Sequence, residues 1–253
     1  MDPSEGKNDL HTLSRWITGS DNIVFFGGAG VSTESGIPDF RGAGGLYTAN
    51  ESARGYEVSP ETILSASYFR RHPYRFFAFY REKILFLSAE PNPAHFILAR
   101  LESEGRMQAV VTQNIDGLHQ KAGSRKVIEL HGSVRRNYCM SCARRYSLDA
   151  AQAAQDAQGI PRCGCGGIIR PDVVLYGEDL SGEAIHAATQ AISRAEVLIV
   201  GGTSLSVFPA AGLVDYYKGN RFIMINESST SWDDRADLRI TGRIGDVLSR
   251  ADI

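Results

Sequence analysis

A parallel α/β sheet with helices on both faces, interrupted by two smaller modules, is the fold this sequence predicts. Three observations carry that reading: short apolar runs alternate with helical segments, a glycine turn follows the first run, and all four cysteines fall in one short stretch. The first helix is marked by Leu10, Leu13, Trp16 and Ile17 at helical spacing. It leads into the apolar run Asn22-Ile-Val-Phe-Phe26, a buried strand, and then into Gly27-Gly-Ala-Gly30. A helix start is predicted over residues 31–36, so this strand-turn-helix unit would aim helix N–H groups at a pyrophosphate. Further strands are predicted over 107–112, 126–130, 197–201 and 221–226, and helices over 93–104, 181–194, 208–217 and 244–250. Continuous apolar strands between helices belong to a sheet covered on both sides.

Two stretches stand outside that alternation. Residues 42–88 are glycine-rich and then aromatic and helical, with Ser59-Pro60-Glu61 as a helix start, and read as a small helical module. Residues 134–171 hold every cysteine and read as a metal-binding module. The remainder forms the large domain, and residues 1–253 a single unit with a cleft between its parts.

Composition narrows the partners. A net charge of -2 gives no bulk electrostatic case for nucleic acid or an anionic membrane. No apolar run reaches the roughly 20 residues that span a bilayer, and residues 1–10 carry no targeting pattern. A cytoplasmic, monomeric protein acting on local recognition is expected.

The chemistry lies at strand ends. Gly28-Ala-Gly-Val-Ser-Thr33 has two glycines for close phosphate approach but Thr33 where a dinucleotide fingerprint has its third, so a tight turn without a ligand stays open. No acidic residue ends a second strand about 20 residues on, which disfavours hydride transfer. Thr112-Gln-Asn-Ile-Asp-Gly-Leu-His119 follows a strand, where two amides and a carboxylate can orient a ribose and a carboxamide; Asp116 can equally cap the next helix. His131, just past another strand, has the imidazole suited to moving a hydroxyl proton near neutral pH, although a lone histidine is often structural. His11, His72, His95, His119 and His186 lie on or beside predicted helices and read as structural. Cys139-x-x-Cys142 and Cys163-x-Cys165 suit tetrahedral Zn²⁺ in a closed structural site. The same thiolates could hold an iron–sulfur cluster, but neither pair has ferredoxin spacing.

In this order, Gly28-Ala-Gly-Val-Ser-Thr-Glu-Ser-Gly-Ile-Pro-Asp-Phe-Arg41, Thr112-Gln-Asn-Ile-Asp116, Leu130-His-Gly132, the four cysteines, Gly201-Gly-Thr-Ser-Leu205 and Ile225-Asn226 resemble the motifs of the sirtuin family over nearly the whole chain. The resemblance implies a Rossmann-like large domain, a zinc-ribbon small module and NAD-dependent removal of acyl groups from protein lysines. NAD would be consumed as co-substrate, zinc would be structural, and acyl-lysine proteins or peptides would be the partners. It implies that Ala29, Thr33, Thr203, Ser204 and Asn226 hold the ADP-ribose half of NAD, with Arg243 and Ile244 near the adenine. Phe40 and Arg41 would belong to the cofactor loop, and Gln113, Asn114, Ile115 and Asp116 would surround the nicotinamide and its ribose. His131 and Asn114 would be catalytic, His131 as base toward the ribose hydroxyl. Val174, Leu175, Tyr176 and Gly177, together with Val207 in residues 206–208, would be strands clamping the substrate backbone. Transfer of ADP-ribose to protein, or NAD binding without turnover, are the alternatives.

Two departures stand out. The second cysteine pair has one intervening residue where two are common, with Gly164, Gly166 and Gly167 to supply backbone freedom. Relatives that remove acidic acyl groups carry a Tyr and an Arg three apart in the helical module, where this chain has Phe79 and Glu82. A carboxylate there predicts preference for acetyl or longer neutral acyl groups.

Overall fold

The computed structural model describes residues 3–39, 45 and 58–253. In chain order the strands are β1 (Ile23–Gly27), β2 (Met107–Thr112), β3 (Val127–Glu129), β4 (Gly132–Cys139), β5 (Arg145–Ser147), β6 (Ile169–Val173), β7 (Val197–Gly201), β8 (Phe222–Asn226) and β9 (Leu238–Thr241). The helices are α1 (Pro3–Thr18), α2 (Pro60–Ile63), α3 (Ala66–Arg71), α4 (Pro73–Phe79), α5 (Pro93–Ser103), α6 (Leu118–Lys121), α7 (Leu148–Ala153), α8 (Gly182–Arg194) and α9 (Ile244–Arg250). Six strands form one parallel sheet in the order β3-β2-β1-β7-β8-β9. The other three form an antiparallel sheet, β5-β4-β6.

Side chains alternate across a strand, and the large sheet uses both faces. Ile23 and Phe25 pack with Leu13 and Ile17 of α1, Leu98 of α5 and Leu248 of α9. Val24 and Phe26 pack on the other face with Ala188 and Ile192 of α8. Every residue of β1 and β7 is buried, as an apolar run covered on both sides requires. Because β1 lies between β2 and β7, the strand order reverses direction there, and the carboxyl ends of β1 and β7 open a crevice of the kind that holds ligands in such sheets.

The small sheet grows directly from this crevice. β3 ends at Glu129, and only Leu130 and His131 separate it from β4. The return crossing is tied to the same place, since the Val174 N–H donates to the His131 carbonyl at 2.9 Å. Gly132 makes the junction possible: its φ is +76°, and a Cβ there would lie 2.0 Å from the Asp172 carbonyl oxygen. Beside this sheet, Phe69, Phe76, Phe77 and Tyr80 form an aromatic cluster that packs on Val134, Val173 and Leu175. Ser59 starts the helical module as its sequence predicts, its hydroxyl accepting from the Thr62 N–H at 3.3 Å.

Several expectations are corrected. Residues 31–36 form no α-helix; short 3₁₀ turns at Ala29–Val31 and Thr33–Ser35 replace it. The Val31 carbonyl is taken by Asn92 Nδ2 at 2.7 Å instead of by a later backbone N–H. The helix expected over 208–217 is a 3₁₀ helix, Ala210–Tyr216. Neither 174–177 nor 206–208 is regular strand, because β6 stops at Val173 and Tyr176 makes only an isolated bridge with Ser65. Strand β9 was not predicted, although its buried Leu238 and Ile240 alternate with exposed Arg239 and Thr241 as an edge strand should.

Candidate active site

A cleft of about 1000 Å³ lies between the large sheet, the small sheet and the helical module. Ala29, Thr33, Gln113, Asn114, Ile115, Asp116, His131, Thr203, Ser204, Asn226, Arg243 and Ile244 all line it. So do Val174, Leu175, Tyr176, Gly177 and Val207. Phe40 and Arg41 lie outside the described residues.

At the crevice, two turns meet backbone to backbone. The Gly30 N–H donates to the Gly202 carbonyl at 2.8 Å, and a Cβ on Gly30 would lie 2.8 Å from the Gly202 Cα. Gly202 has φ +62°, and a Cβ on it would meet the Val31 nitrogen at 2.4 Å. Glycine is therefore required on both sides, and the paired turns leave backbone where a phosphate could approach closely. Asn226 sits beside them, its Oδ1 accepting from the Thr203 N–H at 2.9 Å. Its Nδ2 is buried without a hydrogen-bond partner, an orphaned donor of the kind a bound polar ligand would satisfy. This end of the cleft fits a dinucleotide.

The segment after β2 supplies the polar centre. The Gln113 N–H donates to the Gly27 carbonyl at 2.9 Å, and Gln113 Nε2 donates to Thr203 Oγ1 at 3.0 Å. Asn114 Nδ2 donates to the Gly28 carbonyl and to Ser32 Oγ, both at 3.1 Å. The Ser32 hydroxyl donates onward to Asp116 Oδ2 at 2.8 Å. Asp116 Oδ1 accepts from the Leu118 N–H at 2.8 Å, so capping of the next turn and a place in the cleft hold together. Burial pushes the Asp116 carboxyl above its ordinary range, against the hydrogen bonds from Leu118 and Ser32. Sequence reasoning singled out Asn114 and Asp116 but not Ser32, which is 1% exposed and bridges them. The sequence shows only a hydroxyl within the glycine turn, which marks a polar group there but not its partners on Asn114 and Asp116.

His131 Nδ1 lies 2.8 Å from the Gln113 carbonyl oxygen. A carbonyl only accepts, so the neutral ring carries its proton on Nδ1 and leaves the Nε2 lone pair bare. Burial lowers the His131 pKa below 6.5, with the Gln113 contact opposing. Near neutral pH the ring is thus a free base fixed in one tautomer. His95 and His119, by contrast, are 0% and 1% exposed against the core, with ring centroids 4.7 Å apart.

The helical module meets the cleft in an unexpected register. Residues Tyr80–Ile84 form a π-helical turn, which inserts an extra residue per turn. Tyr80, Lys83 and Ile84 line the cleft, whereas Phe79 is 2% exposed in the core and Glu82 pairs with Lys83 at 2.7 Å. The expectation that Glu82 faces the acyl group is therefore corrected, and with it the electrostatic reason for excluding acidic acyl chains.

The metal-ligand set is complete: one sulfur from each of Cys139, Cys142, Cys163 and Cys165 lies within 4.8 Å of all the others. Cys139 Sγ and Cys165 Sγ are 3.5 Å apart, and Cys142 Sγ and Cys163 Sγ 3.6 Å, too far for disulfides at about 2.05 Å. A zinc tetrahedron with bonds of about 2.3 Å has sulfur–sulfur edges of about 3.8 Å, so the cluster fits structural zinc. Tyr146 donates its hydroxyl to Cys163 Sγ at 3.0 Å and the Ser141 N–H donates to Cys139 Sγ at 3.4 Å, contacts that orient thiolates. The tight second pair turns at Gly166, with φ +84°.

Fold and cleft together define an α/β protein of the NAD-binding type with a cysteine-built zinc module. The sequence profile of the Sir2 family matches residues 28–209, and the chain belongs to that family. It is 52% identical over 240 residues to an NAD-dependent protein deacetylase of Clostridium acetobutylicum, covering 94% of this chain and 96% of that one. It superposes with TM-score 0.83 on a Sir2 protein in complex with a p53 peptide and NAD⁺, at 38% identity and 95% and 96% coverage. A Sir2 complex with a deacetylated p53 peptide and 3′-O-acetyl ADP-ribose gives TM-score 0.84 at 38% identity, covering 94% of this chain and 95% of that one.

Proposed function

We propose that this protein is an NAD-dependent protein-lysine deacylase whose catalytic base is His131. The observation that carries the reading is the bare Nε2 of His131 in the same cleft as Asn114 and Asp116. Bound NAD⁺ would supply an activated glycosidic bond: the acyl oxygen of the modified lysine would replace nicotinamide at the ribose, a ribose hydroxyl would then take the acyl carbon, and one water would complete the release of free lysine. Ala29, Thr33, Thr203, Ser204 and Asn226 hold the ADP-ribose half beside the paired glycine turns, with Arg243 and Ile244 on the adenine side. Asn114 and Asp116, fixed by Ser32, orient the nicotinamide and its ribose. His131 Nε2 takes the proton from the ribose hydroxyl that receives the acyl group. Val174, Leu175, Tyr176, Gly177 and Val207 meet the backbone of an acyl-lysine peptide, and the apolar walls from Ile84 and Ile115 exclude water from the reacting centre. The cysteine module holds zinc away from the reaction, since four sulfurs leave no open coordination position.

The test is incubation with NAD⁺ and a panel of acetyl-, longer neutral acyl- and succinyl-lysine peptides, scored for nicotinamide release and for product mass. The wild-type chain is expected to yield free lysine and O-acyl-ADP-ribose; mass added to the peptide instead would make it an ADP-ribosyltransferase. His131→Ala is expected to lower the rate by roughly 10²–10⁴-fold while the protein stays folded. An unchanged rate in that variant removes His131 from the role of base.

A further inference from the structure

Residues 174–177 line the cleft, yet no sheet holds them: β6 ends at Val173, and the 3₁₀ helix and strands of the large domain lie beyond. Backbone bonds anchor two points of the segment, the Val174 N–H to the His131 carbonyl at 2.9 Å and Tyr176 to Leu64 and Ala66 at 3.0 Å each, and a half-buried ion pair holds the turn around Leu175 and Glu178. The Arg170 guanidinium, in a residue only 6% exposed, donates from Nη1 to Glu178 Oε1 at 2.6 Å and from Nη2 to Glu178 Oε2 at 3.0 Å. It also donates to the Val173 carbonyl at 2.7 Å and the Pro171 carbonyl at 3.2 Å. The rings of Phe69 and Tyr138 lie 5.5 Å and 5.7 Å from its central carbon, fixing the plane of the fork.

Glu178 reaches back into the segment. Its Oε2 accepts from the Leu175 N–H at 2.9 Å, and its own N–H donates to the Leu175 carbonyl at 2.9 Å. One guanidinium therefore grips the segment at both ends, through Val173 and Glu178, while the carboxylate pins its middle. The turn closes at Gly177, where φ is +86° and no atom lies within 4 Å of the Cβ position, so its open side faces away from the clamp. Without the pair, the turn around Leu175 would keep only its backbone anchors at Val174 and Tyr176, and the rest of it would have to be ordered each time a peptide bound.

We propose that Arg170 and Glu178 are positioning residues that preset residues 174–177 for the substrate peptide. This rests on the deacylase reading and adds to it a specific consequence: the pair acts on peptide recognition and not on NAD⁺ or on the proton transfer at His131. Glu178→Gln keeps the size and an acceptor oxygen but removes the charge that engages the fork. It is expected to raise KM for an acetyl-lysine peptide about tenfold, with kcat at saturating peptide and KM for NAD⁺ within about twofold of wild type. Arg170→Lys, which keeps the charge but loses the fork, should show the same peptide-selective defect. If Arg170→Lys does not fold, Glu178→Gln decides alone. Without substrate, the Leu175 amide of Glu178→Gln should exchange its hydrogen faster than in wild type. An unchanged peptide KM in Glu178→Gln, or a parallel rise in KM for NAD⁺, overturns the proposal while leaving the deacylase reading intact. A wild-type chain that releases no nicotinamide overturns that reading first, and the peptide role of the clamp with it.

Discussion

In the six-stranded sheet, Phe25 and Phe26 are neighbours on β1 and both are 0% exposed, because helices cover both faces. In the three-stranded sheet, β4 mixes buried and exposed positions, and the buried cluster beside the cysteines comprises only Cys139, Ala151, Cys163 and Ile169. Fully burying one phenylalanine stabilises by about 1.5–3 kcal/mol, so the large sheet is held by apolar area. The cysteine end of the small one lacks that area and draws on a metal, while its other end packs through Val134 and Val173 on the aromatic cluster of the helical module. The proposed base depends on both sheets, since His131 is one of the two residues that join them.

Metal removal is the largest expected difference. Structural zinc contributes on the order of 10–16 kcal/mol of apparent binding energy in small zinc-folded peptides. Chelation, or Cys163→Ala, is therefore expected to abolish activity and disorder the small sheet while β1 and β7 keep their amide protection. Hydrogen exchange coupled to metal analysis reads both at once. Full activity in a zinc-free sample would contradict the assignment.

Next in size is Phe25→Ala, expected to cost about 3–5 kcal/mol in chemical denaturation without zinc loss from the still-folded fraction. Stability in acid comes third. Burial holds His95 at a pKa of about 4; His119 is held at about 3 by burial and by the nearby His95. An unfolded imidazole titrates near 6.5, so between that pH and the folded values the unfolded chain binds protons the native one does not. Stability present above pH 6.5 is thus lost on acidification, by up to about 1.4 kcal/mol per pH unit for each ring. His119→Gln should flatten the slope of melting temperature against pH between about 6.5 and 4, and an undiminished slope would assign it to other groups. The smallest effect belongs to Glu34→Ala. Glu34 Oε2 accepts from the Gly245 N–H at 2.7 Å at the start of α9, and losing such a cap costs about 1 kcal/mol.

The same contrast explains what could be read from sequence. The spans of β2, β7 and α9 agree with their predicted ranges because a doubly covered strand or an amphipathic helix writes its period into adjacent residues. Gln113, Asn114, Asp116 and His131 were legible as cleft residues because each follows a strand of the large sheet, whereas the other cleft residues came from the resemblance to the sirtuin motifs. Strand β4 was not, since a bulged strand between two modules carries no simple alternation.

Local pattern specified the parallel sheet, the cysteine cluster and the placing of His131 past a strand, each a property of residues close together in the chain. Three-dimensional packing alone chose the rest. It gave the Val31 carbonyl to Asn92, turned Tyr80 and Lys83 into the cleft in place of Phe79 and Glu82, and set Ser32 between Asn114 and Asp116. Those outcomes join groups far apart in sequence, and which distant donor reaches a given acceptor depends on how the layers stack, which no local period records.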